Sequence, residues 1–408
     1  MSGNSLLAGI RVLDLSRLLP GPFCSLYLAQ MGAEVIKIEE PDGGDYARGM
    51  RELFAQVNRG KKSVTLDLRV DADREAFLEL VDDADVVLES FRPGVMDKLG
   101  CGYATLRARN PKLVYAALTG YGQTGPYRDW AGHDLNYLAL AGVLEQIGPA
   151  GGAPVQSNLQ IADLAGGALT CALGILAAVI GARSSGQGTM VDVSMMDGAL
   201  AMMPVALASL RQDGSLPPRG AGLLTGLLPN YRIYRCRDGR YLAVGALEPK
   251  FFLRLLGVLG DQLPASLRRL LPGARRKRGT SGAKTSGTNK DPFASLDKLL
   301  GDPRRARLIT APIRAALAGV FMTRTRDQWT ALLADQDCCV TPVLSLDEVL
   351  DNEQVRARGM IEDDGGKPAF ALPIRFDVPL PRCAPAPALG ADNDEVLARR
   401  NQSARRRS

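Results

Sequence analysis

A chain of 408 residues, 46% hydrophobic and 23% charged, is long enough for two or three domains with cores of their own and has the make-up of a soluble globular protein. Its formal charge of +6 does not argue for nucleic acid. Eight basic residues and no acid fall within 268–290, five arginines and no acid fall within 399–408, and the rest of the chain is acidic, whereas a nucleic-acid face is normally built into the folded body.

From the amino end, GIRVLDLS reads as a buried strand and FCSLYLAQMG as a helix ended by Gly32. AEVIKIEE and SVTLDLR follow as strands, residues 72–81 as a helix, and ADVVLES and KLVYAALTG as two more strands. This rhythm predicts a mostly parallel, Rossmann-like α/β sheet with helices on both faces, in a large domain over 1–200. The turn after the first strand, SRLLPGPFCS, holds one glycine and no G-x-G-x-x-G, so the backbone lacks the glycines that admit a dinucleotide pyrophosphate. Glu39 and Glu40 stand where a ribose-binding acid would, but an acid that ends a strand is ordinary.

Residues 135–146 and 164–182 are apolar and helix-like. Leu164–Ala182 carries no charge over 19 residues and so meets the length test for a membrane span, but its glycine and alanine content fits a buried helix better, and no span is expected. Further on, two strand-like runs flank Asp238-Gly239, a hairpin signal. They predict a smaller α+β domain over 225–335. Within it, 268–292 is a basic, low-complexity insertion that cannot bury a core. CVTPVLSLDEVL is expected to open a return to the large domain over 340–390, and the basic tail 391–408 to be frayed.

Seven scattered cysteines with no C-x-x-C, beside a single histidine, leave a metal site short of ligands and fit free thiols in a cytoplasmic protein. No secretory signal opens the chain and its end, ARRRS, is no peroxisomal signal.

Three residues stand out for acid–base chemistry. His133 is the only histidine, in AGHDLNYLALAG. Asp134 is placed as N-cap of the following helix, which sets His133 beside a helix amino terminus that disfavours imidazolium. Asp163, in LQIADLAGG, is the only charge between Glu145 and Arg183. A cap position would stabilise its carboxylate while apolar neighbours would raise its pKa. Glu248 ends a strand-like run, with Pro249 suited to the first turn of a helix. Each has an ordinary structural explanation when taken alone.

In order along the chain, LAGIRVLDLSRLLPGPF, GAEVIKIE, FRPGVMDKLG, LTGYGQTGP, ADLAGG and SSGQGTMVDVSMMDG resemble the shared segments of CoA-transferase family III. The segments GHDLNYLALAG and GALEPKF are similar to the alpha-methylacyl-CoA racemase branch of that family. The resemblance covers about residues 7–380 and implies an interlocked homodimer acting on an acyl-CoA, with CoA as part of the substrate and no metal or redox cofactor.

It also implies roles for particular residues. His133 and Asp163 are the acid–base pair, and Glu248 shares a proton with Asp163. Leu66, Asp67, Leu68, Arg69 and Arg92 line the CoA site, and Gly132, Asp134, Leu135, Asn136 and Tyr137 line the thioester end. A family III CoA-transferase with Asp163 as covalent nucleophile is the alternative. Two departures stand against the family pattern. Glu40 replaces a usual arginine, so a CoA phosphate contact is either lost or replaced from Arg59, Lys61 or Lys62, and GLLTGLLPNY replaces a Gly/Asp-rich loop.

Overall fold

The computed structural model describes residues 5–262 and 303–398. Their contacts fall into two units. The first comprises Met1–Glu145, Gln156–Leu207 and Leu350–Ser408; the second comprises Gln146–Val155 and Ala208–Val349. The basic insertion 268–292 and the tail beyond 398 lie outside the described residues.

The first unit opens with β1 (Arg11–Asp14), α1 (Pro20–Gln30), β2 (Glu34–Glu39), α2 (Arg51–Asn58), β3 (Lys62–Thr65), α3 (Asp71–Val81) and β4 (Val86–Glu89). Then come α4 (Val95–Lys98), α5 (Tyr103–Arg109), β5 (Val114–Thr119), α6 (Asp134–Leu140) and α7 (Val143–Gln146). A π-helical segment (Ala162–Leu169) leads directly into α8 (Thr170–Ser185), followed by β6 (Met190–Ser194) and α9 (Met195–Ala201); α10 (Pro204–Asp213) begins in this unit and continues into the second from Ala208. The six strands form one parallel sheet in the order β3-β2-β1-β4-β5-β6.

Alternate strand residues point to opposite faces. Val12, Val35, Val86 and Val114 join α1 and α8 in one core, while Leu13, Ile36, Val87 and Tyr115 join α3 and α5 in another. That two-sided burial is why the strands read as continuous apolar runs. The strand order reverses between β1 and β4, so ligands are expected at the carboxyl ends of those two strands.

The helix expected over 164–182 buries one face only. Cys171, Ala172, Ile175 and Val179 are buried, while Leu173 and Ile180 are 70% and 71% exposed. With its π-helical lead it is long and apolar enough to cross a membrane, although 39% of its most apolar window is buried within the protein.

The segment after β3 differs from expectation. The strand ends at Thr65, and Leu66–Val70 turn, with the Val70 N–H donating to the Asp67 carbonyl and the Asp67 N–H to Asp73 Oδ2. The chain end also differs. Residues 393–398 are helical and Val396 is buried beneath the sheet. The outer edge of β3 is covered by that segment: Ser63 N–H donates to Asp392 Oδ2 and Thr65 N–H to Asn393 Oδ1. An edge strand left bare would invite pairing with other chains, so the tail up to residue 398 is structural.

A buried ion pair locks α1 to the end of β1. Lys61 Nζ lies 3.1 Å from Asp14 Oδ2, 2.8 Å from Asn58 Oδ1 and 2.9 Å from the Pro22 carbonyl. Burial works to raise the Asp14 pKa, but the Lys61 and Lys37 charges and two serine hydroxyls hold it at about 2. Removing one member leaves a buried charge without its counter-ion. Lys61→Met is therefore expected to cost about 3–5 kcal/mol in urea unfolding; a loss below 1 kcal/mol would mean that the pair is dispensable.

The second unit holds an antiparallel sheet of β7 (Tyr231–Arg235), β8 (Tyr241–Gly245) and β9 (Val340–Pro342). Packed on it are α11 (Pro249–Gln262), α12 (Pro303–Phe321) and α13 (Arg326–Leu333), around buried Trp329, Phe321, Leu255 and Tyr234. The predicted hairpin forms at Asp238-Gly239, with Gly239 at φ +81° and the Cys236 N–H bonded to the Arg240 carbonyl. The expected return at residue 340 is corrected: CVTP supplies β9, which pairs with β8, and the chain rejoins the first unit only at Leu350.

Candidate active site

His133, not Asp134, occupies the cap of α6, with extended backbone at φ −132° and ψ 177°. Its N–H donates to Asn136 Oδ1 at 3.1 Å, and its carbonyl accepts from Asn136 and Tyr137. These contacts belong to the backbone, and His133 is exposed. Gly132 precedes it because a side chain there would come within 2.7 Å of the Tyr137 ring and 2.8 Å of the Tyr121 hydroxyl. The buried Tyr137 hydroxyl donates to the Gly132 carbonyl, and its ring packs edge-on against Tyr121 at 5.1 Å. The loop that presents the imidazole is thus braced from below.

The Asp134 carboxylate serves a different helix. Its Oδ1 accepts from the N–H groups of Ala162 at 2.7 Å and Asp163 at 3.0 Å. Asp163 is therefore no cap. It lies inside the first turn of the π-helical segment, half-buried. Burial pushes its carboxyl up to about 7, and the neighbouring Asp134 charge adds to the rise. Of the two opposing effects expected from sequence, desolvation wins, because Asp134 takes up the first-turn N–H groups.

The glycines that follow explain the helix path. A side chain on Gly198 would meet the Gly166 carbonyl at 1.9 Å, and one on Gly166 would meet the Ala199 N at 2.7 Å. The π-helical segment and α9 pack backbone to backbone, and single-turn π-helical insertions often mark functional sites.

The remaining predicted residues fall in two places. Leu135 and Asn136 are exposed at the start of α6. Arg92, exposed after β4, is near enough for its charge to act on the Tyr137 hydroxyl, as does that of Asp163. Leu66 and Leu68 are buried in the core, so a ligand there would meet backbone rather than those side chains. Arg69 is exposed and tied to Asp67 and Glu40.

The suggested substitutes for a cation at Glu40 are each paired within the fold. Lys61 is buried on Asp14, Arg59 is buried on Glu362 and the Phe370 carbonyl, and Lys62 pairs with Glu34 and Glu395. Arg17, absent from the sequence-based set, stands at the carboxyl end of β1 instead. Its guanidinium lies 5.2 Å from the Tyr46 ring and 5.0 Å from that of Phe91, and 3.8 Å from Glu40.

Glu89 is a second omission. It ends β4, is buried, and accepts from the Phe91 N–H at 2.7 Å. Burial raises it to about 7. A glutamate closing the apolar run ADVVLE was the available signal.

Glu248 belongs to the second unit. It is exposed between β8 and α11, and its carbonyl accepts from Phe251 and Phe252, so Pro249 begins the helix as expected. Among the described residues no group of three His, Cys, Asp or Glu side chains could hold a metal ion.

The arrangement on the first unit therefore offers an exposed imidazole and, one helix start away, a carboxyl that exchanges its proton near neutral pH. Both suit general acid–base chemistry.

Comparisons with known proteins agree on the family. The model of CoA-transferase family III matches residues 7–393. Human alpha-methylacyl-CoA racemase is 34% identical over 400 residues, covering 96% of this chain and 92% of the relative. Acetyl-CoA:oxalate CoA-transferase of Acetobacter aceti is 32% identical, covering 90% of this chain and 88% of the relative. Among solved structures, a CAIB/BAIF family protein from Brucella suis matches with a TM-score of 0.77 at 29% identity, over 97% of this chain and all of that one.

Proposed function

The chain belongs to CoA-transferase family III, and from that premise we propose that it is a racemase, inverting the α-carbon of 2-methylacyl-CoA thioesters. The observation that carries this reading is His133. The chain's single histidine stands exposed at the start of α6, beside the carboxylate that holds Asp163.

Inversion removes a weakly acidic α-proton from one face and returns a proton to the other, so two groups are needed, with pKa values near working pH. His133 takes one face and Asp163 the other. The developing enolate oxygen calls for donors. The N–H groups of Ala162 and Asp163 are already used by Asp134, which favours those at the start of α6. Glu248 sharing a proton with Asp163 belongs to the same reading and rests on the resemblance of GALEPKF to the racemases.

CoA is part of the substrate, and the chemistry calls on no metal or redox cofactor because side chains carry both protons. Arg92, Arg69 and Arg17 are candidates for its phosphates. The reading extends to a cytoplasmic homodimer. The exposed apolar side chains of Leu173, Ile180, Val205 and Leu207 offer surface that a partner subunit would cover.

The rival is CoA transfer through a covalent aspartyl-CoA thioester on Asp163, favoured by the transferases among the relatives. The two separate on adding a free carboxylic acid. The racemase forms no second acyl-CoA and leaves nothing on Asp163 for hydroxylamine to trap. A new thioester together with a trapped hydroxamate would replace this proposal with the transferase.

A further inference from the structure

We propose that the Asp134 side chain is a positioning residue, holding Asp163 for proton transfer from across the gap between two helix starts. The inference rests on the reading of Asp163 as an acid–base group, and it goes beyond any contact of Asp134 with substrate.

The geometry is specific. An aspartate at the first position of a helix ordinarily serves its own first turn. Here α6 is capped by backbone and Asn136 contacts at His133, and the Asp134 carboxylate is turned away. One oxygen accepts two consecutive N–H groups, at Ala162 and Asp163, 28 and 29 residues ahead. Two orphan donors at the start of the long helix are thereby satisfied. Asp134 also follows His133 directly in the chain, so the immediate neighbour of one proposed base holds the helix start that carries the other.

The same carboxylate acts through its charge. The elements packed against the π-helical segment carry His133 and Tyr137 at α6, Cys24 and Tyr27 on α1, Cys171 and, in its last turn, Arg183 on α8, Tyr115 on β5, Asp192 on β6 and Asp197 on α9. After burial itself, the Asp134 charge is what lifts Asp163. A like charge nearby disfavours ionisation, so Asp134 adds to the rise that burial produces at the Asp163 carboxyl. Position and proton affinity come from one side chain.

The two effects separate with two variants of the full chain. Asp134→Asn retains an oxygen for both N–H groups and loses the charge; Asp134→Ala loses both. With aspartate carboxyls labelled by ¹³C, and Asp163 assigned by its loss in Asp163→Asn, NMR titration reads the proton affinity directly. Asp134→Asn is expected to lower the Asp163 midpoint by roughly one unit, with the Ala162 and Asp163 amides still protected from hydrogen exchange. Asp134→Ala is expected to speed exchange at those two amides by about tenfold or more.

An Asp163 midpoint unmoved in Asp134→Asn, or amide exchange unmoved in Asp134→Ala, would overturn the inference. Neither readout uses turnover. A chain that racemises nothing but titrates as described would defeat the proposed function and leave the positioning intact; normal racemisation with unmoved titration and exchange would do the reverse.

Discussion

Replacing His133 with alanine is expected to lower exchange of the substrate α-proton with solvent by about 10²–10⁴-fold, in a protein that still folds. The structural contacts of His133 are its N–H to Asn136 and its carbonyl to the first turn of α6, and alanine keeps both. The exposed imidazole contributes no core packing, so the cost to stability should stay within about 1 kcal/mol, the usual size of a cap substitution. Loss of exchange with an unchanged unfolding curve marks a proton carrier. His133→Gln separates shape from titration: it keeps a polar side chain with no titrating nitrogen, and should be as inactive as alanine. Exchange at the wild-type rate in either variant would remove His133 from the mechanism.

The second large effect falls on Asp163, and stability and activity should move in opposite directions. Asp163→Asn is expected to reduce exchange by about 10²–10⁴-fold while making the fold more stable above neutral pH. The folded carboxyl titrates at about 7 against an ordinary 3.8. The native state therefore binds this proton more tightly than the unfolded chain does. The stabilisation from that proton is fully present below about pH 4 and is lost as pH rises through 7. Above 7 the native state carries an unfavourably placed charge, which asparagine removes. Because the group is only half-buried, the gain is put at about 1–2 kcal/mol rather than the full linkage value. Urea unfolding across pH 4–8 should show the variant's advantage growing over that range. A pH-independent difference between the two proteins would mean that Asp163 ionises normally.

The large sheet was legible because its strands are buried on both faces, so apolar runs such as VYAALT coincide with single elements. Where side chains rather than periodicity end an element, the pattern misled. SVTLDLR looks continuous, but Asp67 and Asp73 turn the chain after Thr65. The three-residue strand Val340–Pro342 pairs with Leu242–Val244, about a hundred residues earlier, and so short a segment carries no periodicity of its own. The tail was expected to fray because it is polar and terminal, yet Asp392 and Asn393 supply the partners that an edge strand needs.

In the site, residue types were legible and partners were not. A capping aspartate was anticipated at 134, but its target lies on another helix. Lys61 looked like a surface cation available to phosphate, yet only the fold shows it buried on Asp14. Glu89 and Arg17 were passed over because a charge ending a strand is common. What distinguishes them is burial in one case and two flanking rings in the other.

The most direct test of the central claim is incubation of the chain with a single stereoisomer of a 2-methylacyl-CoA in heavy water, with no acceptor acid present. Proton transfer by His133 and Asp163 should place deuterium at the α-carbon and progressively erase stereochemical purity, with the thioester intact. A substrate that keeps both its α-proton and its configuration, while CoA moves readily once a free acid is added, would contradict it.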